Sequence, residues 1–282
     1  MKAEIINTLS TAWQVLQGNS RFMSWNLFLA LVPLAMSFWL FYKPRSILIK
    51  WGVFLLVGAT FLPNTKIVLA QAIRLMRGEA LIYIAVAIAI TLILMVLDIC
   101  LVRRRQSRSM LWWVGFLIFI AFLPNAPYVL TDIIHLYQDV RQSNSVWVLT
   151  LAVVPQYLLF MFIGFEAYVI SLMSLGHYFQ KQGWGKYIFG CEFIIHCLSA
   201  IAIHLGRFQR FNSWDLITNP DALVNSVFND LIDRRPMLVM FVTLIVIFVL
   251  YWLMKLVTFA LVKQYQIHKK EGKKFPWFLL DF

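Results

Sequence analysis

Residues 237–253 read MLVMFVTLIVIFVLYWL, and this run decides the fold class. It holds no charged residue, and at about 1.5 Å of rise per residue it needs only a few apolar neighbours to cross a hydrocarbon core of about 30 Å as a helix. A second run of the same character, IYIAVAIAITLILMVL, occupies 82–97. Working outward from these two, the chain divides into seven apolar stretches, at 25–42, 47–69, 80–102, 110–130, 146–175, 187–205 and 237–262. Those at 47–69 and 110–130 contain prolines and can be shorter or re-entrant, so five to seven spans are expected. The expected fold is an all-α integral membrane protein: a bundle of about seven transmembrane helices, with an interfacial N-terminal helix and an outer loop containing a short amphipathic helix.

Composition excludes a soluble domain. The 282 residues are 61% hydrophobic and 13% charged, against about 25% charged in ordinary globular domains; mean hydropathy is +0.75. A net charge of +12 and pI near 9.8 would point to nucleic acid in a soluble protein. Here the basic residues gather in short connections beside apolar spans, which is the positive-inside pattern, and no nucleic-acid partner is expected. Lys43, Arg45, Lys50, Arg103, Arg104, Arg105, Arg108, Lys181, Lys186 and the tail lysines 263, 269, 270, 273 and 274 fall on one side. The amino terminus, 66–79, 132–144 and the loop 206–236 fall on the other, with most of the acids. The expected orientation is therefore N-out and C-in, in a bacterial cytoplasmic membrane. The organisation divides into an N-terminal interfacial segment (1–24), a transmembrane domain (25–262) and a basic cytoplasmic tail (263–282).

The first residues show no apolar core followed by a small-residue cleavage site, so no removable signal peptide is expected. Ile5, Leu9, Trp13 and Leu16 recur at helical spacing among polar residues, the pattern of a helix on a membrane surface. Cys100, Cys191 and Cys197 lie in or beside predicted spans, as small apolar residues rather than a disulfide framework. An internal echo is also present: RSILIKWGVFLLVGATFLPN at 45–64 and RSMLWWVGFLIFIAFLPN at 108–125. A basic connection, an apolar span and a terminal Phe-Leu-Pro-Asn recur in order, which points to a duplicated helix pair within 25–130.

Two polar motifs interrupt the apolar pattern. The first is FLPNAPYVLTDIIHL, 122–136. Pro124 and Pro127 lack an N–H and should break the span near its outer end; Asn125 can then bond carbonyls that the break leaves free. Helix can restart near Thr131, placing Asp132 and His135 on one face. The second is HLGRFQRFNSWDLITNP, 204–220. Its Arg207 and Arg210, three apart, can form one cationic face suited to a phosphate or carboxylate. His204 and Asp215 lie on the same predicted side. Asn212 or Ser213, and again Asn219 with Pro220, give helix start signals, followed by an apolar stripe of Leu223, Val227, Leu231 and Ile232. Each motif also reads as an interfacial turn whose arginines reach lipid phosphates.

The pairing of FLPNAPYVLTDIIHL with the later IHLGRFQRFNSWD resembles the bacterial multi-pass membrane family known as domain of unknown function 1361. The resemblance covers roughly 110–260 and the segment WNLFLALVP at 25–33. It implies membrane location and a shared site, and it supplies no reaction.

Within the spans, Glu166, Glu192 and His196 are candidates because ionisable groups at depth are costly unless paired or protonated. Glu192, His196, His204 and Arg207 fall on one stripe of the sixth span, which can face Glu166 on the fifth. Either proton relay or packing, with Glu166 pairing to His196 or to a backbone group, accounts for them. Asp132, His135, His204 and Asp215 match no metal spacing, and no Gly-rich phosphate loop, nucleophile elbow or dinucleotide fingerprint occurs, so no metal and no cofactor is expected. Three classes stay open: a transporter or channel-like protein recognising a small anionic or lipidic ligand at its outer face, a membrane-embedded enzyme acting on a lipid or envelope precursor, and a structural or assembly protein. Membrane lipids are the expected partners.

Overall fold

A computed structural model of the chain describes residues 2–41, 47–75, 88–94, 96, 108–142, 145–211 and 220–270. Among these, every regular element is helical. Six helices are long and apolar enough to cross a membrane: Ile6–Leu40, Trp51–Ala70, Met110–Arg141, Val146–Lys181, Gly185–Phe208 and Arg234–Gln264. The predicted span at 80–102 lies outside the described residues except for 88–94 and 96, which are helical.

The order begins with α1 (Lys2–Leu40), one continuous helix with Pro33 inside it. The predicted surface helix and first span are thus a single rod. Then follow α2 (Ile47–Phe61), a 3-10 turn Leu62–Asn64 and α3 (Thr65–Leu75). Next come α4 (Met110–Phe122), the short α5 (Asn125–Tyr128), a 3-10 turn Val129–Asp132 and α6 (Ile133–Gln142). A helical lead-in with a π turn at Leu149–Val153 opens α7 (Val154–Lys181). The chain continues through α8 (Ile188–Phe208), α9 (Pro220–Ile232) and α10 (Arg234–Lys270).

The rod α1 packs against α2, α4, α5 and α7, and small residues make this approach close: Ala30 and Ser37 are fully buried. At the end of the bundle where α1 begins, here the proximal end, Gln156 of α7 bonds the Leu16 carbonyl. At the distal end, Trp112 of α4 bonds the Leu40 carbonyl, and Arg108 bonds the Tyr178 hydroxyl. Asn64 reaches Ser24 towards the proximal end. Asn64 and Arg108 therefore lie towards opposite ends.

The sequence echo has a local structural basis. In both copies the proline interrupts the helix and the following asparagine amide returns to a freed upstream carbonyl: Asn64 to Thr60 (2.8 Å) and Asn125 to Phe122 (3.0 Å). Pro124 interrupts the helix without ending the run, since helical structure resumes at once and continues to Gln142. Large apolar side chains cover the outside of the bundle, among them Trp51, Phe54 and Leu55 on α2 and Leu238, Phe241, Leu253, Leu256 and Phe259 on α10. A surface of this kind is stable only against hydrocarbon.

Two glycines set the position of the segment that carries Asp132. A Cβ on Gly164 of α7 would come within 2.8 Å of the Val129 side chain, and one on Gly206 of α8 within 3.1 Å of the Tyr128 ring. The absence of side chains there lets α5 and the following turn sit between α7 and α8.

Candidate functional site

The proximal polar site is built on the turn Val129–Asp132. Asp132 is 1% exposed, a depth at which an ionised carboxylate requires partners. Asn26 of α1 donates to its Oδ2 at 2.7 Å. Arg207, in the last turn of α8, places Nη1 3.5 Å from its Oδ1, and His135 places Nε2 3.9 Å from the same oxygen. Asp132 and His135, expected on one face, lie together, and Arg207 joins them from a helix distant in sequence. The His135 ring also lies against Phe22, at 4.9 Å between centroids.

A second, partly buried acid repeats the pattern one heptad away. Asn19 donates to Asp139 Oδ2 at 2.7 Å, and Tyr157 of α7 donates to the same oxygen at 3.1 Å. A third pair attaches α9: His204 Nε2 lies 3.2 Å from Asp230 Oδ2, off the line of a hydrogen bond, and Gln209 reaches both Asp230 oxygens at 3.4 and 3.5 Å. The predicted helix start at Pro220 is correct. Of its apolar stripe, expected to lie on the bilayer, Leu231 and Ile232 are exposed, and Asp230 is turned inward.

One expectation is corrected here. Arg207 and Arg210 do not share a face: α8 ends at Phe208, Arg210 takes φ 61°, and the chain turns so that the Phe211 N–H meets the Leu205 carbonyl at 3.2 Å. Arg210 is exposed. Asn125 makes the bond expected of it, to a carbonyl that the helix break leaves free. Asp215 lies outside the described residues.

The remaining polar stripe of α8 meets a different helix at each level. Glu192 Oε1 accepts from Tyr251 and from Lys255 Nζ, both on α10 and both at 2.6 Å. The Lys255 ammonium also lies 4.9 Å from the Trp252 ring centroid and 5.1 Å from that of Tyr251, a cation–π arrangement that lowers the cost of its burial. One turn on, His196 Nδ1 is 2.8 Å from the Tyr168 hydroxyl of α7, which also lies 3.3 Å from Ser199. Glu166 does not pair with His196; its Oε1 accepts from Thr258 at 2.7 Å. His196 Nε2 and Glu166 Oε2 are buried without a protein partner among the described residues.

Sequence reasoning missed Asn26, Asp139, Asp230, Tyr168, Tyr251 and Lys255. Lys255 had a signal: it is the single charged residue in 237–262. Asn26 had a weaker one, as an amide inside an apolar span. Among the described residues, no three of His, Cys, Asp or Glu gather as metal ligands.

A family model described as Protein of unknown function (DUF1361) matches residues 25–102 and 87–249. No curated protein and no solved structure matches the chain. The matched residues take in both Phe-Leu-Pro-Asn copies and every partner of Asp132 named above.

Proposed function

We infer a role for this chain, which belongs to the DUF1361 family of proteins of unknown function, from its own geometry: it is a proton-coupled transporter of a small oxyanion or anionic lipid headgroup. The observation that carries this reading is the polar line of α8. Arg207 stands at its proximal end, and His204, His196 and Glu192 follow towards the distal end, all three buried. At about 1.5 Å per residue the line is about 22 Å long, most of a hydrocarbon core. Groups of this kind at membrane depth mark ion paths and proton relays by default. Arg207 supplies the anion-recognising fork. Glu192, with Lys255 and Tyr251, and His196, with Tyr168, supply sites where a proton can rest. The alternatives are an enzyme acting on a lipid or envelope precursor and a structural or assembly protein.

The orientation that fits is N-out and C-in, in a bacterial cytoplasmic membrane. The end opposite the Asp132–Arg207 pair carries Arg108, Lys181 and Lys186, and basic loops are retained in the cytoplasm. The polar site then faces outward. Uptake of labelled sulfate and phosphate into proteoliposomes tests the reading, with Arg207→Ala beside wild type at matched abundance. Uptake lost in the variant supports it. Absence of uptake above empty liposomes for both anions sinks it, and loss of folded protein in Arg207→Ala favours the assembly role.

A further inference from the structure

Arg207 already has an anion. Among the described residues its polar partner is Asp132, at 3.5 Å, a long contact for an ion pair that can reach 2.7–2.9 Å in charge-assisted hydrogen bonds. The exposures are graded: the Asp132 side chain is 1% exposed, Arg207 19% and His135 40%. A ligand approaching from the proximal side therefore meets His135 and Arg207, and Asp132 lies behind them. The Arg207 guanidinium and the His135 imidazole converge on one oxygen, Asp132 Oδ1, at distances that leave either free to tighten on an incoming oxygen.

We propose that Asp132 is a tethered stand-in for the ligand's anionic group, and that displacing it from Arg207 obliges the site to take up one proton for each anion bound. This rests on the anion reading of Arg207 and adds the coupling. The step balances as an exchange: the Arg207–Asp132 contact breaks, an Arg207–oxyanion contact forms, and one proton from water neutralises the carboxylate left behind. Net charge at the site is then unchanged for a singly charged oxyanion and falls by one unit for a dianion such as sulfate.

The proton is required because, among the described residues, nothing beyond Arg207 and His135 compensates Asp132. From α1 it faces neutral Asn26; from α8, Arg207; from its own segment, His135. The other ionisable groups of the packed helices are occupied at neighbouring levels, Asp139 with Asn19 and Tyr157, and Asp230 with His204 and Gln209. A buried carboxylate deprived of its counter-charge becomes protonated rather than remaining ionised. The half-exposed His135 beside it is the entry point from water. The count stays at one whether the proton rests on Asp132 or on His135, since either offsets the carboxylate charge that Arg207 leaves behind.

The test uses full-length protein in phosphatidylcholine nanodiscs and sulfate, which does not titrate near neutral pH. Calorimetric titration in two buffers of different protonation enthalpy gives protons taken up per anion bound. Wild type is expected to take up about one, Asp132→Asn to bind sulfate with none, and Arg207→Ala not to bind. Infrared difference spectra of wild type supply a check that needs no variant: sulfate should convert a carboxylate band, or a neutral imidazole band, to its protonated form. Sulfate binding suppressed in phosphatidylglycerol nanodiscs supports the proposal and assigns the site to a lipid headgroup; binding equal in both lipids supports it with a free anion. Wild-type binding without proton uptake overturns the coupling and leaves the anion site standing. No sulfate binding in phosphatidylcholine overturns both.

Discussion

Asn26 donates to Asp132 at 2.7 Å across the packed faces of two antiparallel segments, and seven residues back along α1 the same contact recurs between Asn19 and Asp139 at the same distance. The register is consistent, with Phe22 and His135 meeting between the two pairs. A hydrogen bond to a charged group is worth about 1.5–3 kcal/mol, and removing one partner leaves the other buried and unsatisfied. Asn26→Leu should therefore lower the thermal midpoint measured by tryptophan fluorescence in detergent, by the equivalent of about 2 kcal/mol. Asn26→Ser should fall between the two. A midpoint unchanged in Asn26→Leu would show that α1 is held by apolar contact alone.

Lys255 and Glu192 make the most consequential pair in the distal half. Breaking a buried pair by removing one partner costs about 3–5 kcal/mol, whereas replacing both by apolar groups of similar volume is often neutral. Lys255→Met alone should sharply reduce the folded yield seen by size-exclusion chromatography, and Glu192→Leu added to it should restore the yield. Failure of the second change to rescue the first would mean that Tyr251 or His196 depends on Glu192 for its own position.

Gly164 leaves the space that Val129 fills. Gly164→Val overpacks that notch, at a typical cost of about 1–3 kcal/mol, and should displace the Asp132 turn. The expected result is a lower midpoint for Gly164→Val, partly recovered by Val129→Ala in the double variant. Equal midpoints for the single and double variants would place the strain elsewhere.

These residues show what a sequence of this kind reveals. Asp132, His135 and Arg207 were legible because prolines and charges stand out inside apolar runs. The helices were legible because 20 or so apolar residues admit few other structures in a bilayer. The partners were not legible. An apolar helix has little periodicity to say which face meets which neighbour, so the stripe on α8 read as facing one helix. It packs against α5, α7, α9 and α10, and each polar residue finds a different partner. The shared face of Arg207 and Arg210 failed for a local reason, the end of α8 at Phe208, which helical spacing alone cannot foresee.

Orientation can be read chemically. With the three native cysteines replaced by serine, Ser145→Cys at the proximal end should react with an impermeant maleimide on intact cells. Lys186→Cys at the distal end should react only after permeabilisation. The reverse pattern would place the Asp132–Arg207 site in the cytoplasm.

The central claim is that an anion engaged at Arg207 and a proton on the α8 line cross together. Proteoliposomes loaded with a pH-sensitive dye, given an inward sulfate gradient and no initial pH difference, measure this most directly. The account predicts internal acidification with wild type, and none with Arg207→Ala or with Glu192→Gln, both checked for reconstitution. Sulfate entry without acidification, or acidification that persists in Glu192→Gln, would contradict it.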